Sequence, residues 1–236
     1  MVIRIIIVGE NLCEALDLRA GSRMLDVAAA RCWCEVIPTD YVSSLLDSGR
    51  ARATAEGHQI QFQEADAENL PFADAEFNVV LSTFAVMFTA NQEQATHELA
   101  RVCKPGGKIG LSNSTPESFI GQMFKSIAKY IPPAPGVKSP ALWGTQAGLG
   151  AFFSATAQGL RVSPREFVFR YRPPSHWIEV FRTYYGPLNK TFGALDANNQ
   201  AAFTDDLLTL METRNRARDG TLVLPSEYLE VVFTRK

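Results

Sequence analysis

Polar residues lie at three places where apolar, strand-like runs end, and their chemistry suits a nucleoside. Asp40 ends the run in IPTDY, and an acid at that place can accept hydrogen bonds from two neighbouring ribose hydroxyls. Asp66 follows IQFQEA, so its carboxylate can accept from the exocyclic amine of adenine while the N–H of Ala67 donates to the ring. Ser82 and Thr83 add two hydroxyls at the end of NVVLST.

Each position also has a plain structural explanation. Asp40 could cap a helix that begins at Val42, since Asp is a favoured N-cap residue. Asp66 could be an ordinary turn-forming residue. The apolar residues that follow Thr83 could line a pocket or lie in the core; they are Phe84, Val86, Met87 and Phe88.

The elements that must position these residues alternate between strands and helices over the first ~130 residues, which favours a doubly wound, mostly parallel sheet. In such sheets ligands bind at the carboxyl ends of the strands. The predicted strands are RMLDVA, CEVIPTD, IQFQEAD, NVVLSTF and KIGLSN. The predicted helices are GENLCEALDLRAG, YVSSLLDSGRARATAEG, NQEQATHELARVC and STPESFIGQMFKSIAKYI, the last with a cap at Ser114 and an acid at Glu117.

The second half adds helical cap elements and completes the sheet. LRVSPREFVFRY is strand-like, two helical segments follow, and GTLVLPSEYLEVVFTRK favours an antiparallel pair at the sheet edge. Because no linker separates the halves, we expect a single domain over 1–236, with about 10–115 binding a cofactor and about 116–236 forming the cap and the sheet completion.

Composition excludes several classes of protein. The chain has 236 residues, is 46% hydrophobic and carries 23 basic against 25 acidic residues, which does not suggest a nucleic-acid surface. The opening run MVIRIIIVG is far shorter than the ~20 residues of a membrane span. No zinc-ligand spacing surrounds the four cysteines, so we expect no metal and a cytoplasmic protein with reduced thiols; they are Cys13, Cys32, Cys34 and Cys103.

Taken together, RMLDVA, IPTDY, EADAENLPFADAEFNVVLSTFAVMF and ELARVCKPGGKIGLSN resemble the class I S-adenosylmethionine-dependent methyltransferases. The branch they most resemble is the small-molecule group that includes the ubiquinone and menaquinone biosynthesis methyltransferases. The resemblance covers about Arg23 to Asn113. It implies a seven-stranded Rossmann-like methyltransferase fold, S-adenosylmethionine as cofactor and a small-molecule methyl acceptor.

The resemblance also implies roles for individual residues. Asp40 would bind the ribose hydroxyls, Asp66 and Ala67 would bind adenine, and Ser82 with Thr83 would lie beside the methionine part. The implied cofactor-binding set is completed by Val27, Ala28, Tyr41 and Ala65.

Neither the motifs nor the histidines assign a catalytic base. His58 is expected at the surface, His97 is expected to be a surface or packing residue, and His176 is the one histidine that remains a candidate. Aromatic residues of the second half suit either a flat acceptor or a core; they are Tyr130, Trp143, Trp177, Tyr184 and Tyr185.

One part of the family pattern is missing. The family has a D/E-x-G-x-G-x-G loop and a helix after the first strand, whereas Asp26 is followed by VAAARC and no glycine occurs between Gly21 and Gly49. A parallel crossover with its helix needs at least ~10–12 residues. We therefore expect that two neighbouring parallel strands could not be joined here. Either this chain has a true deletion or the printed sequence lacks a segment.

A true deletion would remove backbone donors for the methionine carboxylate. The alternative function is then an inactive methyltransferase-fold binding protein. A Rossmann dehydrogenase is disfavoured because the glycine fingerprint of that class is absent.

Overall fold

The computed structural model describes residues 6–27 and 34–236. Within them, seven strands form one sheet in the order β3-β2-β1-β4-β5-β7-β6. The strands are β1 Arg23–Val27, β2 Glu35–Asp40, β3 Gln63–Glu64, β4 Phe77–Thr83, β5 Cys103–Ser114, β6 Ala157–Tyr171 and β7 Leu222–Arg235.

Eight α-helices lie in the described part of the chain, with 3₁₀ turns at Val86–Phe88 and Pro140–Gly144. The helices are α1 Ile6–Ala15, α2 Ser43–Ala55, α3 Gln92–Val102, α4 Phe119–Tyr130, α5 Gln146–Phe153, α6 Pro174–Tyr184, α7 Gly186–Ala194 and α8 Ala197–Glu212. None of the helices in these described ranges is long and apolar enough to cross a membrane.

The sheet is mostly parallel, as expected. The strand pairs β3/β2, β2/β1, β1/β4 and β4/β5 are all parallel, and the C-terminal strands are antiparallel. The β4 sequence FNVVLST is almost entirely buried, as the near-continuous apolar run of a central parallel strand predicts. This confirms the predicted fold class.

The chain divides into two compact units. One contains the described residues up to Asn113 together with Lys138–Pro164 and Leu229–Lys236; the other contains Ser114–Val137 and Arg165–Tyr228. In the first unit, a core cluster forms around Leu12, Leu16, Met24 and Leu81.

The second unit has an aromatic core of its own, in which the Trp177 ring stacks on Phe181 at 3.7 Å between centroids. The single domain over 1–236 stays a prediction.

The expectation that the first two strands could not be parallel neighbours is wrong. They pair in parallel with Arg23 opposite Glu35, although only residues 28–34 separate them. Because β1 is short, the chain between Val27 and Glu35 must return only about 13 Å along the strand direction and about 5 Å sideways. The eight residue steps between these two residues can span about 26 Å. The ten-residue minimum is that of a crossover which contains a helix.

Two local predictions are also corrected. The third strand ends at Glu64. Asp66 lies in a turn, where it forms an isolated bridge to Asn69. The cap of α4 is Ser118, whose hydroxyl accepts from Gly121 N at 3.1 Å, whereas Ser114 ends β5. Both serines precede the same helix, so spacing alone did not distinguish them.

Candidate functional site

Parallel pairing brings the carboxyl ends of β2, β1, β4 and β5 to one edge of the sheet. Asp40 ends β2, Val27 ends β1 and pairs in register with Ser82, and Thr83 pairs with Ser112 of β5. The edge therefore carries four of the predicted cofactor residues on neighbouring strands. Ala28, also predicted to bind cofactor, lies outside the described residues.

Asp40 is half-buried at the end of β2, and its carboxylate is oriented by the chain that follows. Its Oδ1 accepts from Val42 N at 2.8 Å, and the backbone N–H of Tyr41 also donates to it. Burial raises the pKa of Asp40, and these two N–H groups partly offset that effect. The capping role considered for Asp40 is thus present in part. Its side chain accepts from Val42 N at the start of α2, but the N-cap residue of α2 is Val42. The Tyr41 side chain is 65% exposed.

The end of β3 is tied to the end of β2, since Ala65 N donates to the Asp40 carbonyl at 3.1 Å. The next residue, the exposed Asp66, begins a tight turn, and Asn69 N donates to its carbonyl at 3.0 Å. Asp66 Oδ1 accepts from Glu68 N at 2.9 Å. Since a carboxylate has about four acceptor positions, Asp66 can still accept from a ligand. Ala67 is half-buried beside it.

Ser82 and Thr83 are both buried at the end of β4. Ser82 Oγ accepts from Val86 N at 3.1 Å and so fixes the turn after the strand. Phe84 within that turn has φ 57°, an uncommon value for a bulky residue. Of the following apolar residues, Val86 and Met87 are buried in the core and Phe88 is 36% exposed.

The prediction missed two buried polar residues at the end of β5. Ser112 and Asn113 are fully buried, and neither Ser112 Oγ nor the Asn113 carboxamide has a hydrogen-bond partner in the part of the chain that the structure describes. The signal was available, because the polar pair in KIGLSN ends an apolar run in the same way as the serine and threonine of NVVLST.

No described residue stands out as a catalytic base. His58 and His97 are exposed, as expected, and His176 is half-buried with its ring 5.4 Å from that of Tyr171. Within residues 6–27 and 34–236, no cluster of His, Cys, Asp or Glu could hold a metal ion.

The aromatic residues of the second half are mainly structural. Trp143 and Trp177 are fully buried, and Tyr130 and Tyr185 pack against the second unit's core. Tyr184, in contrast, is 58% exposed.

The residues present fit most of an S-adenosylmethionine molecule. Asp40 is an oriented carboxylate with unused acceptor capacity, as a ribose diol requires. Thr83 Oγ1 is buried and has no partner among the described residues, which is the state expected of a group that a ligand or water satisfies. The exception is the glycine-rich loop that the family has after its first strand, since residues 28–34 contain no glycine.

Comparison with known proteins concerns the family and the fold. A family model described as a methyltransferase domain matches residues 16–111. An uncharacterized protein of Mycobacterium tuberculosis is 34% identical over 225 residues, which cover 94% of this chain and 81% of that protein. A demethylmenaquinone methyltransferase of Deinococcus radiodurans is 30% identical over 166 residues, covering 67% of this chain and 62% of that protein.

Among solved structures, the YcgJ protein from Bacillus subtilis is similar with a TM-score of 0.64 at 18% identity, and the match covers 96% of this chain and 97% of that one. At this identity the likeness concerns the fold alone. With the family match and the relatives, it leads to one conclusion: the chain belongs to the class I S-adenosylmethionine-dependent methyltransferases, in their small-molecule branch.

Proposed function

We propose that this chain binds S-adenosylmethionine at the carboxyl edge of its parallel strands and transfers the methyl group to a small-molecule acceptor. One observation carries the proposal. Oriented acceptors occur in sequence along the edge, with Asp66 after β3, Asp40 at the end of β2, and Ser82 and Thr83 at the end of β4. Adenine, ribose and methionine follow one another in the same order in the cofactor.

Each residue at this edge contacts a different part of the cofactor. The Asp40 carboxylate accepts from the two ribose hydroxyls, and the N–H groups of Tyr41 and Val42 hold it in place. Asp66 accepts from the exocyclic amine of adenine, and Ala67 N donates to the ring. Thr83, whose hydroxyl has no partner in the described structure, lies beside the methionine part.

When bound, the cofactor supplies a methyl group on a sulfonium, a good leaving group. The residues of this chain therefore contribute mainly by holding the two reactants in line, which can lower a barrier by several kcal/mol, up to about 7–11 in favourable cases. The acceptor's own nucleophile displaces the neutral thioether and loses a proton to solvent or to a neighbouring base. The demethylmenaquinone methyltransferase of Deinococcus radiodurans supports a small-molecule acceptor.

The test is calorimetric binding of S-adenosylhomocysteine, the product form of the cofactor. We expect wild-type protein to bind it and Asp40→Ala to bind it about 10- to 100-fold more weakly, because charge-assisted hydrogen bonds to two hydroxyls are lost. The matched control is Asp47→Ala, which removes an exposed aspartate on α2 that pairs only with Arg50 in the described structure.

The alternative is a methyltransferase fold without activity, and the absence of glycine from residues 28–34 favours it. Two results would contradict the proposal, one its activity and the other its site. If wild-type protein does not bind S-adenosylhomocysteine, the enzyme proposal is wrong. If wild type and Asp40→Ala bind S-adenosylhomocysteine with equal affinity, the site is elsewhere.

A further inference from the structure

The segment 66–76, between β3 and β4, has no regular secondary structure, and α3 holds it in place. We call this segment the adenine loop, because Asp66 and Ala67 begin it. Leu70 N donates to Glu98 Oε2 at 2.7 Å, and the Leu70 carbonyl accepts from Arg101 Nη2 at 2.9 Å. One side-chain pair on α3 therefore binds both main-chain polar groups of the buried Leu70.

Arg101 extends the same contacts along the loop. Its Nη1 donates to the Phe72 carbonyl at 2.7 Å and to Asp74 Oδ1 at 2.8 Å. Its own backbone carbonyl accepts from Ala75 N at 2.9 Å. Arg101 thus bonds to four residues of the adenine loop.

Glu98 and Arg101 also bind each other, one turn apart on α3. Two parallel bonds of 2.7 and 2.8 Å join the carboxylate to the guanidinium, and Glu98 is only 5% exposed. This bidentate pair fixes both side chains, because removing Arg101 would leave the buried Glu98 carboxylate without its guanidinium partner. A second contact lies at the other end of α3, where Asn91 N donates to Glu68 Oε1 at 2.9 Å.

In the part of the chain that the structure describes, Asp66 bonds to near neighbours of its own turn. Its carboxylate is exposed and accepts from Glu68 N, and its carbonyl accepts from Asn69 N. Its position therefore follows the path of the loop, which is held before Asp66 by the bond from Ala65 N to the Asp40 carbonyl and after it, from Glu68 to Ala75, by α3 and its N-cap.

We propose that Glu98 and Arg101 are positioning residues that set Asp66 for recognition of the adenine amine. This inference rests on the proposed function, since it assumes that Asp66 contacts adenine. Glu98 and Arg101 do not touch the ligand; each acts through the main chain of the adenine loop. Displacement of Asp66 therefore affects binding of the base alone, because ribose is bound by Asp40 on a different element.

Base specificity supplies a readout that general destabilisation does not move. Asp66 accepts from the exocyclic amine of adenine, whereas hypoxanthine has a carbonyl at the same place, so its oxygen faces the carboxylate. A correctly placed Asp66 therefore prefers S-adenosylhomocysteine to S-inosylhomocysteine. A displaced Asp66 loses that preference but leaves the ribose contacts intact.

The experiment measures the dissociation constants of both ligands by calorimetry for wild type, Arg101→Gln and Arg101→Lys. We expect Arg101→Gln to bind S-adenosylhomocysteine about tenfold more weakly with little change for S-inosylhomocysteine, since a shift of about 1 Å disables a contact that depends on geometry. Arg101→Lys keeps the charge but not the fork of donors, so it should be intermediate. The control is Arg52→Gln, which breaks an ion pair of 3.0 Å between Arg52 on α2 and Glu56, the C-cap residue of that helix, and should keep the full preference.

Asp74→Ala covers the case in which Arg101→Gln does not fold. It removes one exposed partner of Arg101, and we expect a smaller loss of preference in the same direction. Equal weakening of both ligands, or an unchanged preference in all the Arg101 and Asp74 variants that fold, would overturn the inference. If wild type binds both ligands equally, Asp66 is not the adenine contact. If wild type binds neither, the proposed function itself fails.

Discussion

Thr83 and Ser112 are register partners on neighbouring parallel strands, and each has a buried hydroxyl without a hydrogen-bond partner among the described residues. Residues in register on parallel strands project to the same face of a sheet, so both hydroxyls lie on one face of the candidate site's edge. A buried hydroxyl left unpaired costs about 1–3 kcal/mol. Two of them side by side indicate a place where a ligand or water completes the hydrogen bonds.

The first prediction concerns Thr83→Val, which replaces the hydroxyl with a methyl group of similar shape. We expect it to stabilise the ligand-free protein by about 1 kcal/mol, because the cost of the unpaired hydroxyl is removed. The same change should reduce the stabilisation that S-adenosylhomocysteine gives. Urea unfolding with and without the ligand measures both effects, and Ser112→Ala is a second variant. A clear loss of stability without ligand would mean that the hydroxyl is already paired.

The second prediction is a pH dependence of cofactor binding that originates at Asp40. Burial raises the pKa of this carboxyl, and ribose hydroxyls need its ionised form as acceptor. The affinity for S-adenosylhomocysteine should therefore begin to fall, as pH decreases, at a higher pH than an ordinary aspartate would give. Calorimetry over a pH series measures this. Asp40→Asn should bind about tenfold more weakly at neutral pH and lack this step; a step that persists in that variant would assign it to another group.

The third prediction concerns acid stability and Glu98. Hydrogen bonds from Arg101 lower the pKa of this carboxyl, with further contributions from Leu70 N–H and the Arg101 charge, against the opposing effect of burial. A carboxyl with a lowered folded-state pKa contributes stability that is present above the unfolded pKa of about 4.3 and is lost as pH falls through the folded value.

Glu98→Gln should therefore be less stable at pH 7, by about 2 kcal/mol or more, and should lose less stability on acidification. Unfolding free energies at pH 7 and below pH 4 give the comparison. Glu117→Gln is a suitable control, because this exposed glutamate pairs with Lys125 at 3.4 Å and should change neither value by much. An identical acid profile for wild type and Glu98→Gln would contradict the assignment.

Sequence patterns were sufficient for the strands that position the site. β2 and β4 are short apolar runs that end in polar residues, so their bounds were predicted to within one residue and the polar residues at their ends were identified. The same pattern occurs in KIGLSN, where the polar residues at the end of the run are Ser112 and Asn113.

Two features could not be predicted. The parallel pairing of β1 and β2 follows from the short length of β1, which a rule based on helical crossovers ignores. The contact between α3 and the adenine loop depends on tertiary packing. In sequence, Glu98 and Arg101 are an ordinary pair three residues apart, which on most helices lies in solvent.

The last prediction compares two helical glycines with different surroundings. A Cβ on Gly121 would lie 2.2 Å from the Thr115 carbonyl oxygen and 2.5 Å from that of Pro116, and backbone atoms cannot move aside as a side chain can. A Cβ on Gly150 would meet nothing within 4 Å. Gly121→Ala should therefore cost about 1–3 kcal/mol from the clash. Gly150→Ala should gain about 0.5–1 kcal/mol, because alanine loses less conformational freedom in a helix. Urea unfolding of the two variants measures the difference, and equal effects would show that the chain between Ser114 and α4 yields to the added methyl group.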